Sequence, residues 1–401
     1  MEKSFVGRQP IYRQGVDVFA YELLSRDGEL NQAAFKNGDK DTATALLREF
    51  ISVGLEGVVG PHPAFVNVPR DFILSDYCSE VPKDGVVLQV AKDAQGDDAV
   101  LGALSRLASD NYSIALTDFL YRDELRPLAE LADTVKLNVR ALDRDAVSKQ
   151  VDSLRPFNVK LLAEEVETHD DYQFCKDLGF DYFEGYFFCK PQVSDRLVLP
   201  HNRLSTLHLL SKLQNPEISL NELEQAVGQD VAMSYRILRY LNSPMNALPR
   251  QVDSLRHAIV LIGTALIRQW ASMIWLESIE DKPRELMIMS MVRAQMCQQL
   301  GASMGCRNLD QFFTVGLLSL LDALMDRPME TVLQDLPLVA PVKDALTKQS
   351  GTLGTALNCV RAYEQCDWNK TSCGNLNDGK IRDAYLNSVA WSRAVIHELV
   401  N

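Results

Sequence analysis

The chain has 401 residues, of which 46% are hydrophobic and 24% are charged, so it is long enough to build two hydrophobic cores. Its net charge is −13, and residues 1–200 carry 22 basic against 34 acidic side chains while residues 201–401 carry 19 against 20, a balance that disfavours nucleic-acid binding. No long apolar run and no secretory signal is found, so we expect a cytoplasmic protein with no membrane insertion.

The first half of the chain alternates extended apolar segments with segments of helical periodicity. Strands are predicted at 16–24, 64–68, 86–90, 113–119, 134–139, 158–164 and 182–188, and helices at 41–57, 97–110, 123–131, 143–154 and 169–178. Repeated alternation of this kind predicts a parallel sheet. We interpret the sheet as a closed β/α barrel of the TIM type.

The second half changes character near Arg203, where extended segments give way to helical patterns. Ser219 is followed three residues later by Glu222, which is a capping box, and Asp230 is placed to begin the next helix. The second half is therefore predicted to be all-α. We place the boundary between 195 and 202, which gives an α/β domain over 1–198 and a helical domain over 199–401.

Polar residues recur at the ends of the predicted strands. In β/α barrels the functional residues lie at the carboxyl ends of the strands, so a polar residue in that position in several successive strands favours a pocket. The series consists of Glu22, Asn67, Gln89, Asp118, Lys136 and Glu164.

These residues lie in motifs that resemble the EAL phosphodiesterases. The segment Glu22-Leu23-Leu24-Ser25-Arg26 is similar to the signature Glu-Ala-Leu-x-Arg of that family. Further matches follow in family order over residues 5–191, at Asn67, Thr117-Asp118-Phe119, Lys136, Ala163-Glu164-Glu165-Val166-Glu167-Thr168 and Glu184-Gly185-Tyr186. The resemblance implies a fold of the TIM type and hydrolysis of cyclic di-GMP by water that Mg²⁺ or Mn²⁺ activates.

Four of the departures from the EAL pattern bear on its function. Gln89 and Thr117 stand where the family has carboxylate metal ligands, and Lys92 stands where the family has a glutamate that fixes a loop. Glu184 replaces the family's glutamine. With two carboxylates missing, we expect no metal cofactor, no catalytic residues and an inactive phosphodiesterase homologue; Mg²⁺ or Mn²⁺ enters only if residual activity exists.

The remaining pocket residues leave three interpretations open. They are Glu22, Leu24, Arg26, Asn67, Asp118, Lys136, Glu164 and Glu167. They form a satisfied polar network in a docking platform, or a nucleotide pocket in which Arg26 contacts phosphate, or the site of a weak phosphodiesterase.

Residues 203–365 resemble an HDOD domain, a relative of the HD phosphohydrolases. The resemblance is carried by 220–230, 237–243 and 252–263. HD enzymes bind metal through a His-Asp pair, and Ser319 and Leu320 stand in place of that pair, so we expect no metal centre here.

Together the two resemblances predict a non-catalytic bacterial signal-transduction protein. Both domains would act as regulatory modules that bind other signalling proteins, and a homo-oligomer is left open. The alternatives are a receptor that binds cyclic di-GMP and a weak metal-dependent phosphodiesterase for the same nucleotide.

Overall fold

The computed structural model describes residues 6–25, 55–75, 78, 81–92, 97–191, 201–215, 217–243, 251–277, 279 and 282–400. The chain divides into two compact units, Met1–Phe188 and Cys189–Asn401, which we call the barrel unit and the helical unit. The boundary predicted after residue 198 lies outside the described residues. Within the described ranges, no helix has both the length and the apolar character needed to span a membrane.

The barrel unit contains a closed barrel of eight strands in sequence order. Strands β2 to β8 pair in parallel with their neighbours, whereas β1 runs antiparallel to both β2 and β8. This confirms the predicted fold of the TIM type. The strands are β1 Val6–Arg13, β2 Val18–Ser25, β3 Ala64–Val68, β4 Val86–Val90, β5 Ser113–Leu116, β6 Thr134–Asn138, β7 Lys160–Glu164 and β8 Tyr182–Glu184.

Strand β1 was not predicted, and the expectation of a wholly parallel sheet is wrong there. Charged residues and Pro10 interrupt its apolar alternation, which hides the strand from pattern reading. The structure shows why Arg8 is tolerated: its guanidinium is buried, donates a 2.5 Å hydrogen bond to the carbonyl of Val58, and lies 4.4 Å from the ring centre of Tyr21.

Helices of the barrel unit follow the predicted pattern. Asp97 and Asp143 cap their helices through the side chain, as their position before an apolar-periodic segment predicts. The segment predicted at 123–131 is a short 3₁₀ turn followed by a helix, and most of the helix predicted at 41–57 lies outside the described residues. The helices are α1 Leu55–Val59, α2 Arg70–Ile73, α3 Asp98–Ser109, α4 Arg126–Leu131, α5 Arg144–Leu154 and α6 His169–Leu178.

Several predicted strands are longer than the observed ones. Val16 has a φ of 61° in the turn before β2, and Asp118 has a φ of 49° beyond the end of β5. A left-handed backbone cannot continue a strand, so the extended segments are shorter than their apolar patterns. Asp118 therefore lies in the loop after its strand.

The helical unit is all-α in the ranges that the structure describes, as predicted. The capping box of Ser219 and Glu222 is present, and Asp230 caps the next helix. Its helices are α7 His201–Leu213, α8 Leu220–Gly228, α9 Val231–Leu241, α10 Leu255–Ile262, α11 Thr264–Glu277, α12 Arg284–Ser303, α13 Leu309–Leu318, α14 Leu321–Met325, α15 Met329–Gln334, α16 Ala340–Lys348, α17 Gly351–Glu364 and α18 Asp378–Val400.

Candidate functional site

The barrel core determines where the polar residues point. Inside the barrel, Ala20, Phe65, Val87 and Leu162 belong to one buried apolar cluster. Because alternate residues of a strand share a face, the residue two positions later in each strand also points inward, one layer nearer the carboxyl end. Those residues are Glu22, Asn67, Gln89 and Glu164.

Lys136 lies at the centre of this polar layer. Its side chain is fully buried, and its Nζ lies 2.6 Å from Glu22 Oε2, 3.0 Å from Glu184 Oε2 and 3.3 Å from Glu164 Oε1. Strands β2, β6, β7 and β8 thus bring three carboxylates around one ammonium. We call Glu22, Glu164 and Glu184 the carboxylate cluster.

Two amides hold the other oxygen of Glu22. Gln89 donates from Nε2 to Glu22 Oε1 at 2.6 Å, and Asn67 donates from Nδ2 to the same oxygen at 3.3 Å. Gln89 is fully buried, whereas the side chain of Asn67 is exposed. The site therefore reaches from a closed floor at Gln89 and Lys136 to the barrel surface at Asn67.

The charges of the cluster perturb one another. Burial alone would raise the pKa of Glu22, but the charge of Lys136 and hydrogen bonds lower it to about 2. Burial and the charge of Glu22 raise the pKa of Glu184 well above its ordinary value, and burial also raises the pKa of Glu164. Although burial opposes it, the carboxylates raise the pKa of Lys136. One ammonium does not balance three carboxylates, so Glu184 keeps its proton to a higher pH than usual.

Some oxygens of the site have hydrogen-bonding capacity to spare. Gln89 Oε1 and both carboxylate oxygens of Glu184 are buried and accept no hydrogen bond within the described part of the chain. One ligand oxygen from each member of the carboxylate cluster lies within 4.8 Å of the others. Hard oxygen donors at this spacing are of the type that Mg²⁺ and Mn²⁺ take, so the donor set fits a divalent cation.

The other residues that the sequence singled out have varied surroundings. Glu167 pairs with Arg140, and both side chains are at least 40% exposed. Lys92 and Asp118 are exposed, although the charge of Asp118 contributes to raising the pKa of Glu164. Leu24 is half-buried opposite Gly7, Thr117 follows β5 with its backbone N–H bonded to Val90, and Arg26 lies outside the described residues.

Sequence reasoning missed the position of Glu184 among the carboxylates. It counted Gln89 and Thr117 as two lost carboxylates and treated Glu184 only as a departure. The structure places this extra carboxylate beside Glu22 and Glu164. The sequence contained a signal for this exchange, because Glu184 replaces an amide of the family pattern while Gln89 replaces an acid.

In the helical unit, the positions singled out by sequence are buried. Ser319 ends α13, where its Oγ donates 2.7 Å to the carbonyl of Gly316 and accepts a 3.2 Å hydrogen bond from Arg293. Leu320 is 2% exposed. Arg293 also pairs with Glu364 at 2.7 Å. The absence of a metal centre in this unit stays a prediction.

Two family models match this chain. Residues 69–191 match the EAL domain, and residues 199–330 match the HDOD domain. The barrel is also similar to a solved structure of the PaMucR phosphodiesterase in complex with c-di-GMP, at 22% identity and a TM-score of 0.41, over 46% of this chain and 95% of that chain.

Two curated relatives align along nearly the whole chain, and one of them corrects our expectation about activity. The cyclic di-GMP phosphodiesterase CdgJ of Vibrio cholerae is 29% identical over 98% of this chain and 94% of its own length. The protein YuxH of Bacillus subtilis is 28% identical over 97% of this chain and 98% of its own length. A full-length relative named as a phosphodiesterase contradicts the prediction of an inactive homologue. The chain carries an EAL domain followed by an HDOD domain.

Proposed function

We propose that this chain hydrolyses a phosphodiester bond of cyclic di-GMP at the carboxyl end of its barrel, with a divalent cation bound there. The observation that carries the proposal is the carboxylate cluster, whose ligand oxygens lie within 4.8 Å of one another. The cluster lies where β/α-barrel enzymes have their active sites. The full-length similarity to a protein named as a cyclic di-GMP phosphodiesterase supports the same assignment.

The cation would be held by oxygen donors of this chain, among them Glu22, Glu164 and the side-chain oxygen of Asn67. When bound, Mg²⁺ or Mn²⁺ supplies positive charge that polarises the phosphodiester and lowers the pKa of a water molecule. Carboxylate and amide oxygens are the donors that these ions prefer. Asn67 is exposed and so lies on the side from which a nucleotide would enter.

Residues of the chain orient the carboxylates of the site and provide a proton acceptor. Lys136 holds Glu22 and Glu164 by direct ion pairs, and its buried ammonium fixes their orientation. Glu164 is 22% exposed, against 1% for Glu184 and 6% for Glu22. Glu164 is therefore the carboxylate of the cluster best placed to accept a proton from an attacking water.

The test is an assay of the purified full chain with cyclic di-GMP and either Mn²⁺ or Mg²⁺, with the linear dinucleotide separated by chromatography. We expect linear product, and we expect Glu22→Ala to abolish it because that change removes the carboxylate that contacts Lys136, Gln89 and Asn67. Glu130→Gln is the matched control, since Glu130 pairs with Arg126 and both side chains are more than half exposed.

Two other outcomes have defined meanings. If cyclic di-GMP binds, as measured by calorimetry, and no linear product forms with either ion, the barrel is a receptor and the proposed hydrolysis is wrong. If product forms equally in wild type and in Glu22→Ala, the activity does not belong to this site. Binding of other signalling proteins, which the sequence suggested, stays a prediction.

A further inference from the structure

We infer that Glu184 is a metal-binding carboxylate that takes over the part of the one absent at Gln89. This inference rests on the proposed function, because it needs a divalent cation at the carboxylate cluster. The EAL pattern has an acid at position 89 and an amide at position 184, and this chain has the reverse. The exchange keeps the number of carboxylates and moves one of them from β4 to β8.

Both exchanged side chains reach the same partner. Gln89 donates to Glu22 Oε1 at 2.6 Å, and Glu184 places a carboxylate oxygen within 4.8 Å of ligand oxygens of Glu22 and Glu164. A carboxylate on β8 therefore lies beside Glu22, as a carboxylate on β4 would. The strands β4 and β8 are not neighbours in the barrel, but both place a side chain near Glu22.

The oxygens of Glu184 are buried, and one of them is paired with Lys136. The residue is 1% exposed, and neither oxygen accepts a hydrogen bond from the described residues. Lys136 Nζ lies 3.0 Å from Oε2, as an ion pair without hydrogen-bond geometry. Buried acceptors are normally satisfied, so the acceptor capacity that Lys136 leaves unused on Glu184, beside two other carboxylates, points to a further ligand.

The backbone holds Glu184 in a fixed position relative to β7. The N–H of Val166 donates a 2.9 Å hydrogen bond to the carbonyl of Glu184. Gly185 follows with a φ of 148°, and a Cβ there would clash with the carbonyl oxygen of Val166. This contact ties the end of β8 to the loop that follows Glu164. The backbone of Glu184 is thus bonded to a residue two positions after Glu164, and fixed donors are what a metal site requires.

The rival explanation is that Glu184 serves only as a counter-charge for Lys136. The two explanations differ in what happens when the carboxylate is moved back to β4. Gln89 contacts Glu22 and Asn67, so a glutamate at 89 adds an anionic donor at the floor of the site. If Glu184 is a metal ligand, a glutamate at position 89 can replace it. If Glu184 is only a partner of Lys136 on β8, a glutamate at position 89 cannot replace it.

The experiment titrates Mn²⁺ into the full chain by calorimetry, without nucleotide. We expect Glu184→Gln to weaken Mn²⁺ binding about tenfold or more, and we expect the double variant Glu184→Gln with Gln89→Glu to recover most of that loss. Glu130→Gln should bind Mn²⁺ like the wild type. Unfolding midpoints measured without metal check that each variant is folded. The Mn²⁺ affinity of Glu184→Asp, which keeps the charge on a shorter side chain, is a second test.

The inference is overturned if Glu184→Gln and Glu184→Asp bind Mn²⁺ as tightly as the wild type, or if the double variant remains as weak as Glu184→Gln. Hydrolysis of cyclic di-GMP, measured in parallel, separates this inference from the proposed function. If the wild type hydrolyses cyclic di-GMP but the Glu184 variants bind Mn²⁺ as tightly as the wild type, the inference is overturned and the proposed function stands. Mn²⁺ binding that depends on Glu184 in a chain that yields no linear product supports the inference and overturns the function.

Discussion

Each unit of this chain buries a cation, and the two surroundings differ. In the barrel unit, Lys136 lies among three carboxylates that leave buried oxygens without hydrogen bonds. In the helical unit, Arg293 makes two short contacts with Glu364 and one hydrogen bond with Ser319. The first arrangement has acceptors in excess, whereas the second pairs donors with acceptors.

Charge balance separates the two clusters further. In the helical unit, the guanidiniums of Arg293 and Arg361 lie near the carboxylate of Asp322, and Arg293 is paired with Glu364. Burial raises the pKa of Asp322, and burial together with Arg293 lowers the pKa of Arg361. A directly paired buried arginine and glutamate are typical of a structural network. In the barrel unit three carboxylates surround one ammonium, and their hard oxygen donors are of the type that a divalent cation takes.

The largest expected effect comes from removing the cation of the barrel. Lys136→Met leaves two buried carboxylates and one partly buried carboxylate without their counter-charge, and we expect a loss of about 5 kcal/mol in the free energy of unfolding at pH 7.5. The loss should shrink at pH 5, because protonated carboxylates no longer repel one another. Urea unfolding at the two pH values measures it.

The control for Lys136 is Lys160→Met. Lys160 pairs with Asp181 at 2.9 Å, but its side chain is 60% exposed, so its removal should cost less than about 1 kcal/mol. Equal losses in the two variants would mean that the barrel cluster is not electrostatically coupled as the distances indicate.

The helical unit should respond differently to the corresponding change. Arg293→Met removes the guanidinium that pairs with the buried Glu364, and we expect a loss of about 3 kcal/mol in the free energy of unfolding. Adding Glu364→Leu should recover most of it, because a balanced pair can be replaced by apolar side chains. Failure of the double variant to recover stability would show that more than this pair depends on Arg293.

A backbone change can move Glu184 without altering any charge. Gly185→Ala places a Cβ against the carbonyl of Val166 at a φ that L-residues rarely adopt, and we expect a loss of about 2 kcal/mol. Gly179→Ala is the control, because Gly179 also has a positive φ but open space around it. The two variants should differ in Mn²⁺ affinity, with only Gly185→Ala weakened.

The smallest effect concerns acid stability. The pKa of Glu22 is lowered to about 2 from an ordinary value of 4.5, so its contribution to stability is complete above pH 4.5 and is lost as the pH falls towards 2. Glu22→Gln should reduce the slope of stability against pH in that window by at most about 1.4 kcal/mol per pH unit. Parallel acid-unfolding profiles of wild type and variant would contradict the lowered pKa.

Much of the architecture follows from local sequence patterns. Acidic caps such as Asp97 and Asp143, and the capping box at Ser219, begin helices where predicted because a cap depends only on neighbouring residues. Strand β1 could not be predicted from its local pattern. Its Arg8 is buried and donates a hydrogen bond to the carbonyl of Val58, a residue 50 positions away. A local pattern contains no information about such a contact.

The candidate site was predicted in part. Glu22, Asn67, Lys136 and Glu164 were singled out because they end successive strands, and the structure brings them together. The charge of the site was misjudged, because each motif was compared with its family pattern separately. Only the closed barrel shows that β4 and β8 face the same carboxylate, so that Glu184 offsets Gln89.

The central claim is that the excess of buried carboxylates in the barrel forms a divalent-cation site. Anomalous diffraction from crystals of the full chain soaked in Mn²⁺ tests it most directly. We predict an anomalous peak within coordination distance of oxygens of Glu22, Glu164 and Glu184. A peak elsewhere, or a barrel that contains no manganese while Lys136 keeps all three of its ion pairs, would contradict the claim.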